Sequence, residues 1–366
     1  MFLYENKERN RTGDFDKTDV LSVSGDYGIV NQIELLGRSF AGKSVTDYHV
    51  VRTGDIVYTK SPLKEYPYGI VKYNSGNDGI VSTLYAVYHH KDNVEGRFVE
   101  HFFSSPHRTN QYFKPIVRIG AKHDMKIGNE EVLNNIVVFP SLTEQQKISA
   151  FLDLIDKRLS VQNKVIEDLK KLRAALCDRL YDESHPNCRI GDIIEQSSIR
   201  NKGNILNVLS VSNRYGFISQ TEQFEERSIA SEDTTNYKVV SLNDFAYNPA
   251  RINVGSIARL KNTEKGIVSP MYVCFRCREV ALPEYLEQFF STKYFSLEVE
   301  KRLEGSVRLC LSFEGLCNIP ITLPSLTQQE SISGKINAII RKIQLEENYL
   351  SVLSNQKQYI LSHLFI

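Results

Sequence analysis

The sequence predicts an α+β fold of two tandem globular domains, each followed by a long helix, with the two helices pairing as an antiparallel coiled coil. Three observations predict it. Val20-Leu21-Ser22-Val23-Ser24 returns as Val208-Leu209-Ser210-Val211-Ser212, and further matches follow in the same order. Each copy alternates short Val/Ile/Tyr-rich runs with Gly, Asn and Asp, as in Gly54-Asp55-Ile56-Val57-Tyr58. Each copy then closes on Pro-Ser-Leu-Thr and a long amphipathic run.

The later matches are Tyr27-Gly28 with Tyr215-Gly216, Tyr48-His49-Val50-Val51 with Tyr237-Lys238-Val239-Val240, and Gly79-Ile80-Val81-Ser82 with Gly266-Ile267-Val268-Ser269. Pro140-Ser141-Leu142-Thr143 returns as Pro324-Ser325-Leu326-Thr327. Five collinear matches at offsets of 184 to 189 define a tandem duplication. Its parts are a first domain over 1–140, a central helix over 141–181, a second domain over 182–323 and a C-terminal helix over 324–366. Helical patches at Phe98 to Phe103 and Pro283 to Phe290 interrupt the strand runs, which argues against a pure barrel or sandwich. Arg189-Ile190-Gly191-Asp192-Ile193-Ile194 introduces the second copy, and no counterpart is expected before Val20.

Thr143-Glu144-Gln145-Gln146 and Thr327-Gln328-Gln329-Glu330 match the Thr-x-x-Gln/Glu capping box and should open the helices. The central helix then runs Ile148, Leu152, Ile155, Leu159, Gln162, Ile166, Leu169, Arg173, Leu176 and Leu180, the 4,3 spacing of a coiled-coil seam. An offset of 184 carries it onto Ile332, Ile336, Ile339, Ile343, Glu346, Leu350, Leu353, Lys357, Ile360 and Leu364. A helix of this length spans roughly 57 Å, more than a compact domain needs for its own core, so the helices should pack on each other. An antiparallel pair lets the chain run out along one helix and return along the other. With ends aligned, Gln162 falls near Glu346, Arg173 near Gly334 and Lys357 near Ala150, polar positions that would set register.

The chain has 366 residues and a net charge of +1, with 41% hydrophobic and 24% charged content. It can bury more than one core, and any nucleic-acid site must be local rather than a global polycation. No stretch approaches 18 consecutive apolar residues, and Met1-Phe2-Leu3-Tyr4-Glu5-Asn6-Lys7 is too polar for a signal peptide. Six scattered cysteines read as reduced thiols. The expectation is a cytoplasmic protein with no membrane segment.

Gly37-Arg38-Ser39-Phe40-Ala41-Gly42-Lys43-Ser44 is a literal match to a phosphate-binding loop. Such a loop needs a strand before it and a helix after it, whereas Val45 to Val51 reads as a loop entering a strand, and the aligned Arg227 to Glu232 lacks the Gly-Lys. Asn248-Pro249-Ala250-Arg251 resembles the Asn-Pro-Pro-aromatic loop of amino-methyltransferases but lacks the second proline and the stacking aromatic. Cys274-Phe275-Arg276-Cys277 has zinc-knuckle spacing without a second pair, so buried cysteines are the better reading and no metal site is expected. No nucleophile with its base emerges, and no catalytic residue is assigned.

Basic residues cluster locally. Arg108, Lys114, Arg118, Lys122 and Lys126 surround Tyr112 and Phe113, a mixture that neutralises phosphates while offering planar groups to bases. Lys60, Lys64 and Tyr66 are further DNA-binding candidates in this copy. The second copy offers Arg214, Asn248, Arg251, Asn253, Lys301, Arg302, Ser306 and Arg308, with Arg259 and Lys261 nearby and Arg308 aligned to Arg118.

Two divergent α+β domains, each followed by a near-identical Pro-x-Leu-x-x-Gln helix, make this chain resemble the specificity subunit of a Type I restriction-modification system. The resemblance rests on Pro140 to Leu180 and Pro324 to Leu364, with Tyr-x-Val-Val and Gly/Asn-Asp-hydrophobic-x-Tyr in each domain. It implies a non-catalytic subunit whose two target recognition domains each read half of a split double-stranded DNA sequence. It also implies helices that act as a ruler and dock two methyltransferase subunits, with restriction subunits joining through that complex. S-adenosylmethionine, ATP and Mg would be handled by the partner subunits, and no cofactor by this chain. The alternatives are a stand-alone phosphate-loop ATPase or DNA-acting enzyme, and a scaffold that binds only protein.

Overall fold

The computed structural model describes residues 2–42, 44–63, 66–119, 125–181, 184–202, 205–213, 215–219, 233–305 and 308–365. It divides into two compact units, Met1–Asn163 with Tyr349–Ile366, and Lys164–Asn348. Each unit joins one globular domain to part of the central helix Leu142–Leu180 and part of the C-terminal helix Leu326–Leu364.

In the first unit a four-stranded antiparallel sheet runs in the order Leu3–Glu5, Ala86–His90, Ile56–Tyr58, Val71–Tyr73. Two strand pairs, Leu21–Ser24 with Gly28–Asn31 and His49–Val51 with Gly79–Val81, are linked by a parallel bridge between Val20 and Ile80. The second unit repeats this plan. One sheet runs Ile194–Ser197, Val273–Cys277, Phe245–Tyr247, Ile257–Arg259, and the other Gly216–Ser219, Val208–Ser212, Lys265–Val268, Lys238–Ser241. Val208–Ser212 and Lys265–Val268 pair in parallel, as Val20 and Ile80 do. The collinear sequence matches therefore record two copies of one two-sheet domain.

The repeated residues do the same work in both copies. Asp55 and Asp244 are buried and each accepts from a backbone N–H three residues back, Arg52 at 2.8 Å and Ser241 at 2.9 Å. The residue before each carboxylate is left-handed, Gly54 at φ 99° and Asn243 at φ 71°, which explains why Gly and Asn alternate there. Gly79 and Gly266 permit a close crossing: a Cβ would meet Asp19 O at 2.6 Å in one copy and Leu209 Cδ1 at 2.3 Å in the other.

The expectation for Arg189 to Ile194 holds, among the described residues, for its first strand and short helix, but the strand from Ile194 onward does have a match before Val20. Leu3–Glu5 holds the edge place that Ile194–Ser197 holds, and Arg9 bridges His49 as Arg200 bridges Lys238. Asn10 and Asn201 are both buried and use the side-chain amide alike, Asn10 accepting from Phe15 N at 3.1 Å and Asn201 from Ile205 N at 2.9 Å. The sequence signal was only Arg-Asn at an offset of 191, too short to stand alone. What has no counterpart among the described residues is the strand Cys188–Arg189 and the short helix Ile190–Ile193.

The helices start earlier than the Thr-based box predicts. They open at Leu142 and Leu326, and Ser141 and Ser325 are the capping residues, their backbone N–H groups donating to Glu144 at 3.0 Å and Gln328 at 3.2 Å. Serine caps better than threonine, and this frame frees the next glutamine to turn inward. Gln145 and Gln329 are almost fully buried. Gln145 accepts from Glu95 N at 2.9 Å and donates to Asn93 O and Pro140 O; Gln329 accepts from Leu282 N at 2.8 Å and donates to Val280 O and Pro324 O. The second glutamine of each motif thus fastens the helix to the domain that precedes it.

Along both helices the seam positions are buried or half-buried except the last, Leu364, which is exposed. Leu361 and Phe365 are buried in its stead, because the end of this helix meets Phe98 and Phe102 of the first domain. Within the first unit Lys357 pairs with Asp156 and Arg158 donates to the Tyr349 hydroxyl; within the second, Lys170 lies 2.6 Å from Glu347. Rising numbers on one helix meet falling numbers on the other, which makes the pair antiparallel. Lys357 reaches Asp156 rather than resting over Ala150, and Arg173 donates to Ser291 Oγ at 3.4 Å, because long cations seek acceptors beyond their own level.

Candidate nucleic-acid interface

In both copies one connection leaves an inner strand of the first-described sheet at a buried tyrosine, Tyr58 at the end of Ile56–Tyr58 and Tyr247 at the end of Phe245–Tyr247. Tyr58 stacks on Phe113 at 4.4 Å and donates to Tyr68 O; Tyr247 donates to Leu311 O at 3.2 Å. Burial raises both phenol pKa values far above the ordinary range, so each stays a protonated donor. Each tyrosine fastens this connection to a second segment, the one that follows the helix Pro106–Phe113 in the first copy and Lys293–Glu300 in the second. Tyr58 touches Met125 Sδ at 3.8 Å, and Leu311 N donates to Pro249 O at 3.0 Å.

The first connection carries Lys60 and Tyr66. Lys60 has φ 44° and donates to Asn129 Oδ1 at 2.7 Å, and burial lowers its pKa. Tyr66 donates to Ser104 O. Both side chains therefore shape the loop. Its counterpart in the second copy holds Asn248, Arg251 and Asn253. Asn248 is buried and closes the turn by accepting from Ala250 N at 3.1 Å, while Arg251 and Asn253 are exposed.

The second segment is a hairpin in the first copy, Arg118–Ile119 with Met125–Lys126, in which Arg118 faces Lys126 directly. Lys114 caps the helix Pro106–Phe113 just before it. All three cations are exposed, and none joins an ion pair among the described residues. Like charges opposite each other across a strand pair repel, and a polyanion relieves that repulsion. Arg108 is placed differently, half-buried with its guanidinium over Phe102 at 5.4 Å and Phe365 at 5.6 Å, and burial lowers its pKa.

In the second copy the paired positions are Glu304 and Cys310, so Arg308 lies inside the loop and does not take the strand place of Arg118. The innermost pairs, Ile119 with Met125 and Glu304 with Cys310, match at an offset of 185, not at the 190 that aligns Arg308 with Arg118. Arg308 is exposed. Lys301 and Arg302 both bind the buried Glu298, each at 2.5 Å; burial opposes ionisation of that carboxyl, and the two cations hold its pKa below the ordinary value all the same. Arg259 is buried against Glu284 and Glu287, and Lys261 also pairs with Glu287. Lys64, Lys122, Arg214 and Ser306 lie outside the described residues.

The other motifs are also placed. The helix Gln32–Leu36 precedes Gly37, which is its left-handed cap, and the strand His49–Val51 follows, the reverse of the strand-then-helix order a phosphate loop needs; Lys43 lies outside the described residues. Cys274 and Cys277 sit in one strand, and burial pushes both thiols up to about 12. Among the described residues no group of three or more His, Cys, Asp or Glu is placed to hold a metal, and no helix is long and apolar enough to cross a membrane.

No family model and no curated protein matches the chain. Solved structures match over its full length. A chain from a structure of complex assembly and conformational transition in the type I R-M system aligns with 100% of this chain and 95% of its own, with a TM-score of 0.58 and 15% identity. The type I restriction-modification S subunit from M. genitalium aligns with 100% of this chain and 93% of its own, with a TM-score of 0.54 and 13% identity. At these identities the shared property is the fold: tandem α+β domains with two long helices, as in the type I S subunit.

Proposed function

We propose that this chain is the DNA specificity subunit of a Type I restriction-modification complex. Each globular domain reads one half of a split double-stranded DNA target, and the paired helices dock two methyltransferase subunits and, through them, restriction subunits. One observation carries the reading: two copies of a single two-sheet scaffold present different exposed side chains, on the hairpin segment alone in the first copy and on both segments in the second. The first copy offers Lys114, Arg118 and Lys126, and the second Arg251, Asn253 and Arg308. A constant scaffold with changed reading groups suits two different half-sites. The helices support the docking role, since Phe151, Leu154, Leu172, Val352 and Tyr359 are exposed on them away from the seam.

In this reading no residue of the chain is catalytic, and S-adenosylmethionine, ATP and Mg belong to the partner subunits. The test is a domain swap read by methylome sequencing. Replacing residues 182–323 with the matching region of a relative should change one half of the methylated motif and leave the other half and the gap intact. A change in both halves refutes independent reading. Methylation that continues unchanged in cells lacking the gene refutes the function itself.

A further inference from the structure

We propose that the turn of one β-hairpin in each domain, between Ser24 and Gly28 and between Ser212 and Gly216, enters the major groove of DNA as a third contacting element. Tyr27 and Tyr215 hold the DNA backbone alike in both domains. Asp26 and Asn213 each read a base: Asp26 accepts from the amino group of cytosine or adenine, and Asn213 pairs with adenine. The inference rests on the reading of the chain as a DNA specificity subunit.

The hairpins are Leu21–Ser24 with Gly28–Asn31 and Val208–Ser212 with Gly216–Ser219, closed by Ser24 opposite Gly28 and Ser212 opposite Gly216. Their turns are built alike. Ser24 Oγ accepts from Tyr27 N and Ser212 Oγ from Tyr215 N, both at 3.3 Å, and Gly28 and Gly216 are left-handed at φ 71° and 69°. Turn geometry therefore accounts for the repeated serine and glycine, but such a turn has no need of an aromatic residue. Tyr27 is 68% exposed and Tyr215 67%, so core packing does not account for the repeated tyrosine either.

The turn lies against the connection that carries the exposed Arg251 and Asn253. Ser256 Oγ donates to Val211 O at 3.2 Å, and a Cβ at Gly255 would meet Asn213 Cβ at 3.7 Å. Gly255 caps the short helix Ile252–Val254, which Arg251 opens. In the first domain Gly28–Asn31 packs beside Val71–Tyr73, the strand that the first connection enters, as Gly216–Ser219 packs beside Ile257–Arg259. A two-stranded ribbon fits the major groove, and a tyrosine hydroxyl can donate to a phosphate whatever the sequence. Between the serine and the tyrosine the copies differ, Gly25-Asp26 against Asn213-Arg214, and Asp26 and Asn213 are exposed. Phosphates repel a carboxylate unless it accepts from a base amino group, which in that groove only cytosine and adenine offer; an asparagine matches adenine N6 and N7.

The test reads the methylated motif in cells and, with the full chain, the affinity for a duplex carrying the motif that the wild type methylates. Asp26→Ala should relax one position in one half of the motif and Asn213→Ala one position in the other half, each by about 10-fold in preference. Tyr27→Ala and Tyr215→Ala should leave the motif unchanged and weaken binding to matched and unrelated duplexes alike by about 3- to 10-fold. All four variants should melt within a few degrees of the wild type, as suits exposed side chains. A wild-type motif in Asp26→Ala and Asn213→Ala, or wild-type affinity in the tyrosine variants, overturns the proposal and leaves the DNA reading intact. Loss of methyltransferase co-purification at unchanged DNA affinity would make the turn a protein contact and overturn it equally. A wild-type chain that directs methylation to no motif refutes the DNA reading and the proposal with it.

Discussion

Gln145→Ala should cost far more stability than an ordinary glutamine substitution, because the side chain satisfies three backbone groups at once. It accepts from Glu95 N at 2.9 Å and donates to Asn93 O at 3.2 Å and Pro140 O at 2.9 Å, while itself 1% exposed. A buried group left unsatisfied costs about 1–3 kcal/mol. Partial access of water to the two carbonyls discounts the sum, so the expected loss is about 3 kcal/mol. Gln145→Glu should be worse at neutral pH, since it turns a carboxylate oxygen toward two carbonyl oxygens and removes both donors. Gln329→Ala should behave alike through Leu282 N, Val280 O and Pro324 O. The two losses should be nearly additive, because they share no partner. Urea unfolding monitored by circular dichroism measures both. A loss below about 1 kcal/mol in each single variant, with unchanged m, would refute the claim that these glutamines fasten helix to domain.

Arg118→Ala and Lys126→Ala should each weaken DNA binding, by ~1–3 kcal/mol with relaxed specificity in one half-site if a base is read, or uniformly with a salt slope reduced by about 1 if a phosphate is held. Neither should lower stability, since each removes one of two facing cations; a fall in melting temperature of several degrees would contradict that placement. His49 is buried, its Nδ1 has no hydrogen-bond partner among the described residues, and burial followed by Arg9 and Lys60 lowers its pKa to about 4. The unfolded chain then takes up a proton near pH 6.5 that the folded chain refuses until about 4, so stability should fall with pH across that window, by up to about 3 kcal/mol. In His49→Gln that part of the slope should vanish, and an unchanged pH profile would count against a neutral buried imidazole. Leu159→Asp with Ile343→Asp places two carboxylates in the seam and should abolish co-purification of methyltransferase subunits; retention in a 2:1 ratio would refute docking on the helices.

The helices were legible because a 4,3 spacing reports one-sided burial directly, and both copies show it at the same offset. Their caps were read two residues late, since Thr143 and Thr327 satisfy the same pattern as Ser141 and Ser325, and only hydrogen bonds choose between them. Charge was the least legible quantity. Counting put Lys301, Arg302 and Arg108 with the DNA-binding cations and Glu298, Glu300 and Glu304 as acids that only dilute the second patch, yet Glu298 binds the first two and Phe102 with Phe365 lies under the third. A count of residues carries no information about partners brought together by folding.

The sequence by itself determined that the chain is duplicated, that each copy is an α+β domain closed by a long helix, and that the helices share a seam. Those properties follow from periodicity and repetition, which are local or self-referential. The order of strands in the two sheets, the matching of Leu3–Glu5 to Ile194–Ser197, the inward turn of Gln145 and Gln329, and the division of cations into paired and exposed were decided only by the tertiary structure. The strands concerned are three to five residues long and find partners many residues away. Pairing at such distance is settled by the joint packing of the whole domain, and no single segment encodes it.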